Sequence, residues 1–214
     1  MSNCIGILEV TGFTPAMVAL DAMEKAARVH VVQAEINDFL GTVIKIGGSL
    51  DAVSTALAAG NAAASLLGGK PITSMLSNPE PSAMKVGILS RQERSPLLEQ
   101  NVVLGPDVGP TNPATETRET SMADTQNFAL GFIETQGFTA VFEAIDTACK
   151  AANVEVVAKE KLGGGYITIV IKGDVAAVNA AIEAGKSKVG SLGKLIAAHV
   201  IARPSTNVLA LLPK

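Results

Sequence analysis

Hydrophobic positions along this chain fall into short runs that switch between a two-residue period and a helical one. Ile5 to Val10 is a brief apolar run closed by Gly12, the pattern of a strand. Thr14 followed by Pro15 reads as a helix N-cap with proline in the first turn, and Ala16, Ala19, Leu20, Met23 and Ala27 then recur at helical spacing. Val29 to Ala34 and Thr42 to Ile46 are β-branched stretches on either side of a short loop, so both are expected as strands. Gly48-Ser49 offers a capping side chain to a second helix that reaches about Leu67, and Ile72 to Leu76 is expected as the last strand.

The same succession then returns. Shifting the chain along itself by 125 residues lays Asn3–Glu80 over Phe128–Ser205 without a gap, with about two dozen identities. Gly12-Phe13-Thr14 meets Gly137-Phe138-Thr139, Asp21 meets Asp146, and Lys25-Ala26-Ala27 meets Lys150-Ala151-Ala152. The second half is therefore expected to hold strands at Leu130 to Thr135, Val154 to Ala158, Tyr166 to Ile171 and Ile196 to Ile201. Its helices should run from a cap at Thr139 to Ala152 and from Asp174 to about Leu192. The order βαββαβ predicts an α/β (α+β) fold of ferredoxin-like type in tandem, each copy an antiparallel sheet with helices on one face. The division expected is a first domain at 3–80, a linker at 81–127 and a second domain at 128–214. Pro106, Pro110, Pro113 and the polar run Thr115 to Gln126 mark that linker as exposed.

Composition narrows the function. A net charge of −3, 6 Phe, 1 Tyr and no Trp give no basic, aromatic-studded surface for nucleic acid. Ala52 to Gly69 is a charge-free run close to the length of a membrane span. It is built from Ala, Gly and Ser, however, and its counterpart carries Glu183, Lys186 and Lys188, so both runs read as packed helices with no membrane partner. Cys4 and Cys149 make no CxxC pair, which fits a reducing cytoplasm, and the start lacks the basic and apolar regions of a signal peptide.

Duplication also screens candidate chemistry. His30 aligns with Glu155, His199 with Ser74, Cys4 with Ala129 and Cys149 with Glu24, so no His or Cys recurs. GxSxG, P-loop and metal-ligand spacings are absent from the sequence, and neither catalytic residues nor a metal or cofactor are expected. Glu9 and Glu134, at matching strand ends, leave two readings open: a carboxylate pair for acid–base work, or acceptors for nearby backbone N–H groups. Gly163-Gly164-Gly165 reads as a hairpin turn needing positive φ, or as an anion-receiving loop.

Several motifs in order carry a resemblance. Gly131 to Thr135 (GFIET), Asp146 to Val154 (DTACKAANV), Glu160 to Gly165 (EKLGGG), Lys172 to Val175 (KGDV), His199 to Pro204 (HVIARP) and the final LLPK are similar to the hexamer-forming shell domain of bacterial microcompartments. The first repeat resembles it through GILEV, DAMEKAARV and the GGS helix start.

The resemblance implies a non-enzymatic shell tile in the bacterial cytoplasm, a homotrimer whose six domains imitate a hexamer, meeting other shell proteins at its edges. It implies a central pore for small metabolites lined by Leu162, Gly163, Gly164 and Gly165 and, by position, by Asn37, Asp38, Phe39 and Leu40, where the first repeat departs from the family's small residues. Lys25, Lys150 and Arg203 match its tile-edge residues. Iron–sulfur binding through pore cysteines is not expected, since neither cysteine lies in those loops. The competing class is a soluble ligand-binding or regulatory trimer of ferredoxin-like domains.

Overall fold

A computed structural model describes residues 4–37, 40–84, 128–190 and 192–213. The first repeat runs β1 (Cys4–Thr11), α1 (Phe13–Ala26), β2 (His30–Asn37), β3 (Gly41–Gly48), α2 (Leu50–Leu66) and β4 (Ile72–Leu76). The second runs β5 (Ala129–Gln136), α3 (Phe138–Ala151), β6 (Glu155–Gly163), β7 (Tyr166–Gly173), α4 (Val175–Val189), β8 (Lys194–Ile201) and α5 (Thr206–Ala210). The strand orders are β2-β3-β1-β4 and β6-β7-β5-β8, with every neighbouring pair antiparallel. The two sheets keep the 125-residue offset down to their registers, Glu9 opposite Val43 and Glu134 opposite Thr168.

Each sheet has an inner face toward its own helices and an outer face away from them. Gly6 and Gly131 point inward, where an added Cβ would stand 2.7 Å from Val53 and from Val178 on the second helix of each domain. Side chains alternate along a strand, so Ile5, Ile7 and Glu9, and likewise Leu130, Phe132 and Glu134, belong to the outer faces. In the second domain that face is covered by the first. Phe13, Met17 and Leu20 of α1 share one core with Leu130, Phe132, Val170 and Ile201. The inner face of the second domain forms its own core around Ile133, Val141, Ile169 and Ile182.

Ser49 and Asp174 cap their helices as expected, accepting from Ala52 N at 3.3 Å and Ala177 N at 2.8 Å. The other two helix starts need correction. α1 and α3 begin at Phe13 and Phe138, one residue after a glycine, so Thr14 and Thr139 lie inside the first turn instead of capping it. The turn from strand to helix is too tight for an intervening polar residue, and Gly12 (φ 92) and Gly137 (φ 125) take the conformation it demands. The hairpin strands also run further than their β-branched segments, to Asn37 and Gly163, because pairing with β3 and β7 continues almost to the tips. α5 was not foreseen; Ser205 caps it and a helical turn at 81–84 matches it in the first repeat. The rest of the expected linker, from residue 85 on, lies outside the described residues.

Candidate functional site

Three groups of residues singled out in the sequence can be placed. The first is the pair of hairpin tips. Asp38 and Phe39 lie outside the described residues, but the ends of their loop are fixed. Asn37 pairs with Gly41, and the Leu40 carbonyl accepts the Gly12 N–H at 2.7 Å. In the second domain the Gly165 carbonyl accepts the Gly137 N–H at 2.9 Å, and the Gln136 side chain donates to the Gly164 carbonyl at 3.1 Å. Both tips are thus tied to the strand-to-helix turn of their own domain. Gly163, Gly164 and Gly165 have φ of 92°, 52° and 82°, which favours the hairpin reading of the triple glycine. The tips also meet each other: a Cβ on Gly164 would stand 2.9 Å from Leu40 Cδ2. Leu162 is buried in the core between the domains.

The second group is charged. Lys25 pairs with Asp21 at 2.5 Å and Lys150 with Asp146 at 2.6 Å, each one helical turn apart near a helix C-terminus, where a cation also meets the favourable end of the dipole. The Asp146 carboxylate holds the Lys150 ammonium above its ordinary range. Arg203 is exposed in the turn after β8.

The third group is the joint between the domains, and its centre is Glu134. This carboxylate is fully buried, and it accepts from Phe13 N at 3.0 Å and Thr14 N at 2.9 Å. It therefore caps α1 from the other domain, satisfying N–H groups that the missing threonine cap would have left open. Burial pushes its carboxyl upward, and the backbone bonds from Thr14 and Phe13 pull it the other way. Gly12 admits the carboxylate, since a Cβ there would lie 3.2 and 3.3 Å from its two oxygens. Of the two readings of the glutamates, acceptance from backbone N–H holds for Glu134, with donors about 120 positions away instead of nearby.

The far end of the joint is polar. Asp21 accepts from Ser205 N at 3.1 Å, and Glu24 accepts from the Ser205 hydroxyl and the Asn207 amide. His199 is half-buried there; desolvation lowers its pKa and Asp21 opposes the shift. No window around His199 contains this charge, because Asp21 belongs to the other domain. The signal for the joint was present but silent: two helices that open after glycine with no capping side chain of their own.

An open groove of about 560 Å³ between α2 and β4 is lined by Ser54, Asn61, Thr73 and Ser74 among apolar residues, with no titratable side chain in the lining. Among the described residues no three His, Cys, Asp or Glu side chains converge as a metal site, and no helix is long and apolar enough to cross a membrane.

Tandem four-stranded antiparallel sheets with paired helices and two linked hairpin tips define a duplicated α/β domain. The family described as the BMC domain matches residues 4–79 and again 129–204, and the chain belongs to it. It is similar to the bacterial microcompartment shell protein PduA of Salmonella typhimurium, 48% identical over 89 residues, 42% of this chain and 95% of that one. The major carboxysome shell protein CsoS1A of Halothiobacillus neapolitanus is 46% identical over 94 residues, 44% of this chain and 96% of that one. A crystal structure of a microcompartments protein from Desulfitobacterium hafniense DCB aligns over 98% of this chain and 99% of its own, at 23% identity and a TM-score of 0.37.

Proposed function

We propose that the protein is a structural shell protein of a bacterial microcompartment, a trimeric tile whose six domains surround a central pore for small metabolites. Family membership and relatives named as shell proteins support the shell role and its place in the bacterial cytoplasm, and no catalytic step is assigned to the chain. The observation that carries the pore is the contact of Leu40 with Gly164, because two domains of one chain bring their hairpin tips to one place. Threefold repetition of that pair encloses an axis with Asn37, Asp38, Phe39 and Leu40 alternating with Leu162, Gly163, Gly164 and Gly165. Three Asp38 carboxylates near one axis then disfavour anions, while the bare N–H groups of the glycine turn favour them.

At the rim, Lys25, Lys150 and Arg203 meet neighbouring shell proteins. Edge contacts multiply along a sheet, so loss of one weak contact per edge abolishes tiling and leaves each trimer intact. The test is Lys25→Ala with Lys150→Ala. Light scattering should give an unchanged trimer mass while electron micrographs lose the extended sheets of the parent. Parent protein that stays as discrete trimers would favour the regulatory class, and undiminished sheets from the variant would remove the lysines from the edge.

A further inference from the structure

Leu40 is an exception to the chain's own repeat. Among the described residues only Leu40 (φ 62) and Lys70 (φ 47) hold a positive φ without being glycine. The 125-residue offset pairs Leu40 with Gly165, whose φ of 82° suits a residue with no Cβ. Both residues do the same backbone task. The Leu40 carbonyl accepts the Gly12 N–H at 2.7 Å, and the Gly165 carbonyl accepts the Gly137 N–H at 2.9 Å. A glycine at position 40 would do this without strain, whereas a side chain there brings its Cβ too close to the carbonyl oxygen. The strain points to a use for the side chain.

That side chain leaves its own domain. A Cβ on Gly164 would lie 2.9 Å from Leu40 Cδ2 and 3.3 Å from Cδ1, so the bare glycine is what admits the leucine. The tip it touches is three consecutive glycines, backbone with more conformational freedom than any other sequence. Leu40 is itself held on its own side. The Gly12 N–H fixes its carbonyl, and the next two N–H groups, of Phe13 and Thr14, are fixed by the buried Glu134 carboxylate. Glu134 stands two residues before Gln136 on β5, and the Gln136 side chain donates to the Gly164 carbonyl at 3.1 Å. The contacts close a circuit from Glu134 through the Gly12 turn, Leu40, Gly164 and Gln136 back to β5.

We propose that Leu40 is the positioning residue of the second domain's glycine tip, and through that tip a determinant of the size of solute the rim admits. This rests on the pore reading above. Methyl groups seated on Gly164 remove freedom that three glycines would otherwise keep, so the rim holds one shape. A rim of unrestrained glycine tips flexes and passes larger solutes. Because the wedge is apolar, it selects by diameter and not by charge.

Amide hydrogen exchange of the full chain, with flux of glycerol and sucrose through reconstituted pores, tests this. In Leu40→Gly the Gly137 amide, in the other domain, should exchange several-fold faster, because the Gly165 carbonyl that protects it is no longer held in place. Leu40→Ala keeps a Cβ at the strained position and removes the methyl groups, so it should do the same. In both variants the flux of sucrose relative to glycerol should rise several-fold. Parent exchange at Gly137 together with the parent flux ratio would overturn the wedge and leave the pore standing. A response of Leu40→Gly alone would assign the effect to backbone freedom at position 40 and overturn the role of the side chain. Faster exchange with an unchanged flux ratio would confine Leu40 to the contact between domains and overturn its part in selection. A parent that passes neither solute would overturn the pore, and the selection with it.

Discussion

α1 and α3 have the same length, the same place between strands and the same glycine before them, yet one is sealed and the other is half in water. The difference lies opposite the helices. α1 faces a sheet surface of Leu130, Phe132, Ala158 and Val170, and the matching surface of the first sheet carries Ile5, Ile7, Gln33 and Lys45. The joint made within the chain is apolar around the buried Glu134 carboxylate and polar at its far end. The first sheet carries a lysine and a glutamine in place of valine and alanine, and the Lys45 ammonium is itself buried against Gln33 and Glu35. Burial in a duplicated chain thus reports what packs against each copy as well as its local sequence.

The strongest break of this comparison falls on the two glutamates. Glu134→Ala leaves two helix N–H groups buried without an acceptor and a void beneath α1, which should destabilise the chain by about 2–4 kcal/mol. Glu9 is half-buried in the single chain, so Glu9→Ala should cost distinctly less. Urea unfolding of each variant reads both. Equal losses would mean that the two carboxylates do the same work, and the contrast between the two helices would fail.

A smaller effect sharpens the chemistry of the joint. Burial raises the Glu134 carboxyl above its ordinary value of 4.5, outweighing the N–H groups that favour the charge. A native carboxyl that holds its proton more tightly than the unfolded chain contributes fully below 4.5. Its contribution is lost as pH rises through the raised native value. Glu134→Gln removes this slope while keeping one acceptor oxygen. The parent's melting temperature, relative to that variant, should therefore fall as pH rises from 4.5 through the weakly acidic range. A relative rise would show that the helix N-terminus, not burial, governs the carboxyl. His199 titrates alike in both proteins and cancels in the difference.

Much of this fold was legible because its signals are local. The alternation of Ile5 to Val10, the caps Ser49 and Asp174, and the glycine turn at 163–165 each need only a few neighbouring residues, and the 125-residue repeat checks every reading twice. Thr14 and Thr139 misled because the residue that caps α1 is Glu134, which no window around position 14 contains. α5 is five residues with one capping serine, too short for a period to show. The joint itself was invisible for a related reason: Phe13 and Phe138 share the same Gly-Phe-Thr context, which does not say what packs against either ring. The pore tips were placed by resemblance, and their contact through Leu40 and Gly164 is a fact of the packed domains.

The smallest expected effect probes the far end of the joint. Glu24 on α1 is held by the Ser205 hydroxyl and the Asn207 amide, and its match on α3 is Cys149, an exposed thiol. Glu24→Ala leaves both donors to the water that reaches this part-buried end, so the loss should be about 1 kcal/mol, below that expected at the fully buried Glu134. Cys149→Ala, the matched change, removes an exposed side chain and should stay within about 0.5 kcal/mol of the parent, the range of surface substitutions. Urea unfolding of the two variants measures both. Equal losses would mean that the last turn of α3 is held as firmly as that of α1, and that the two helices differ in their first turns and buried faces alone.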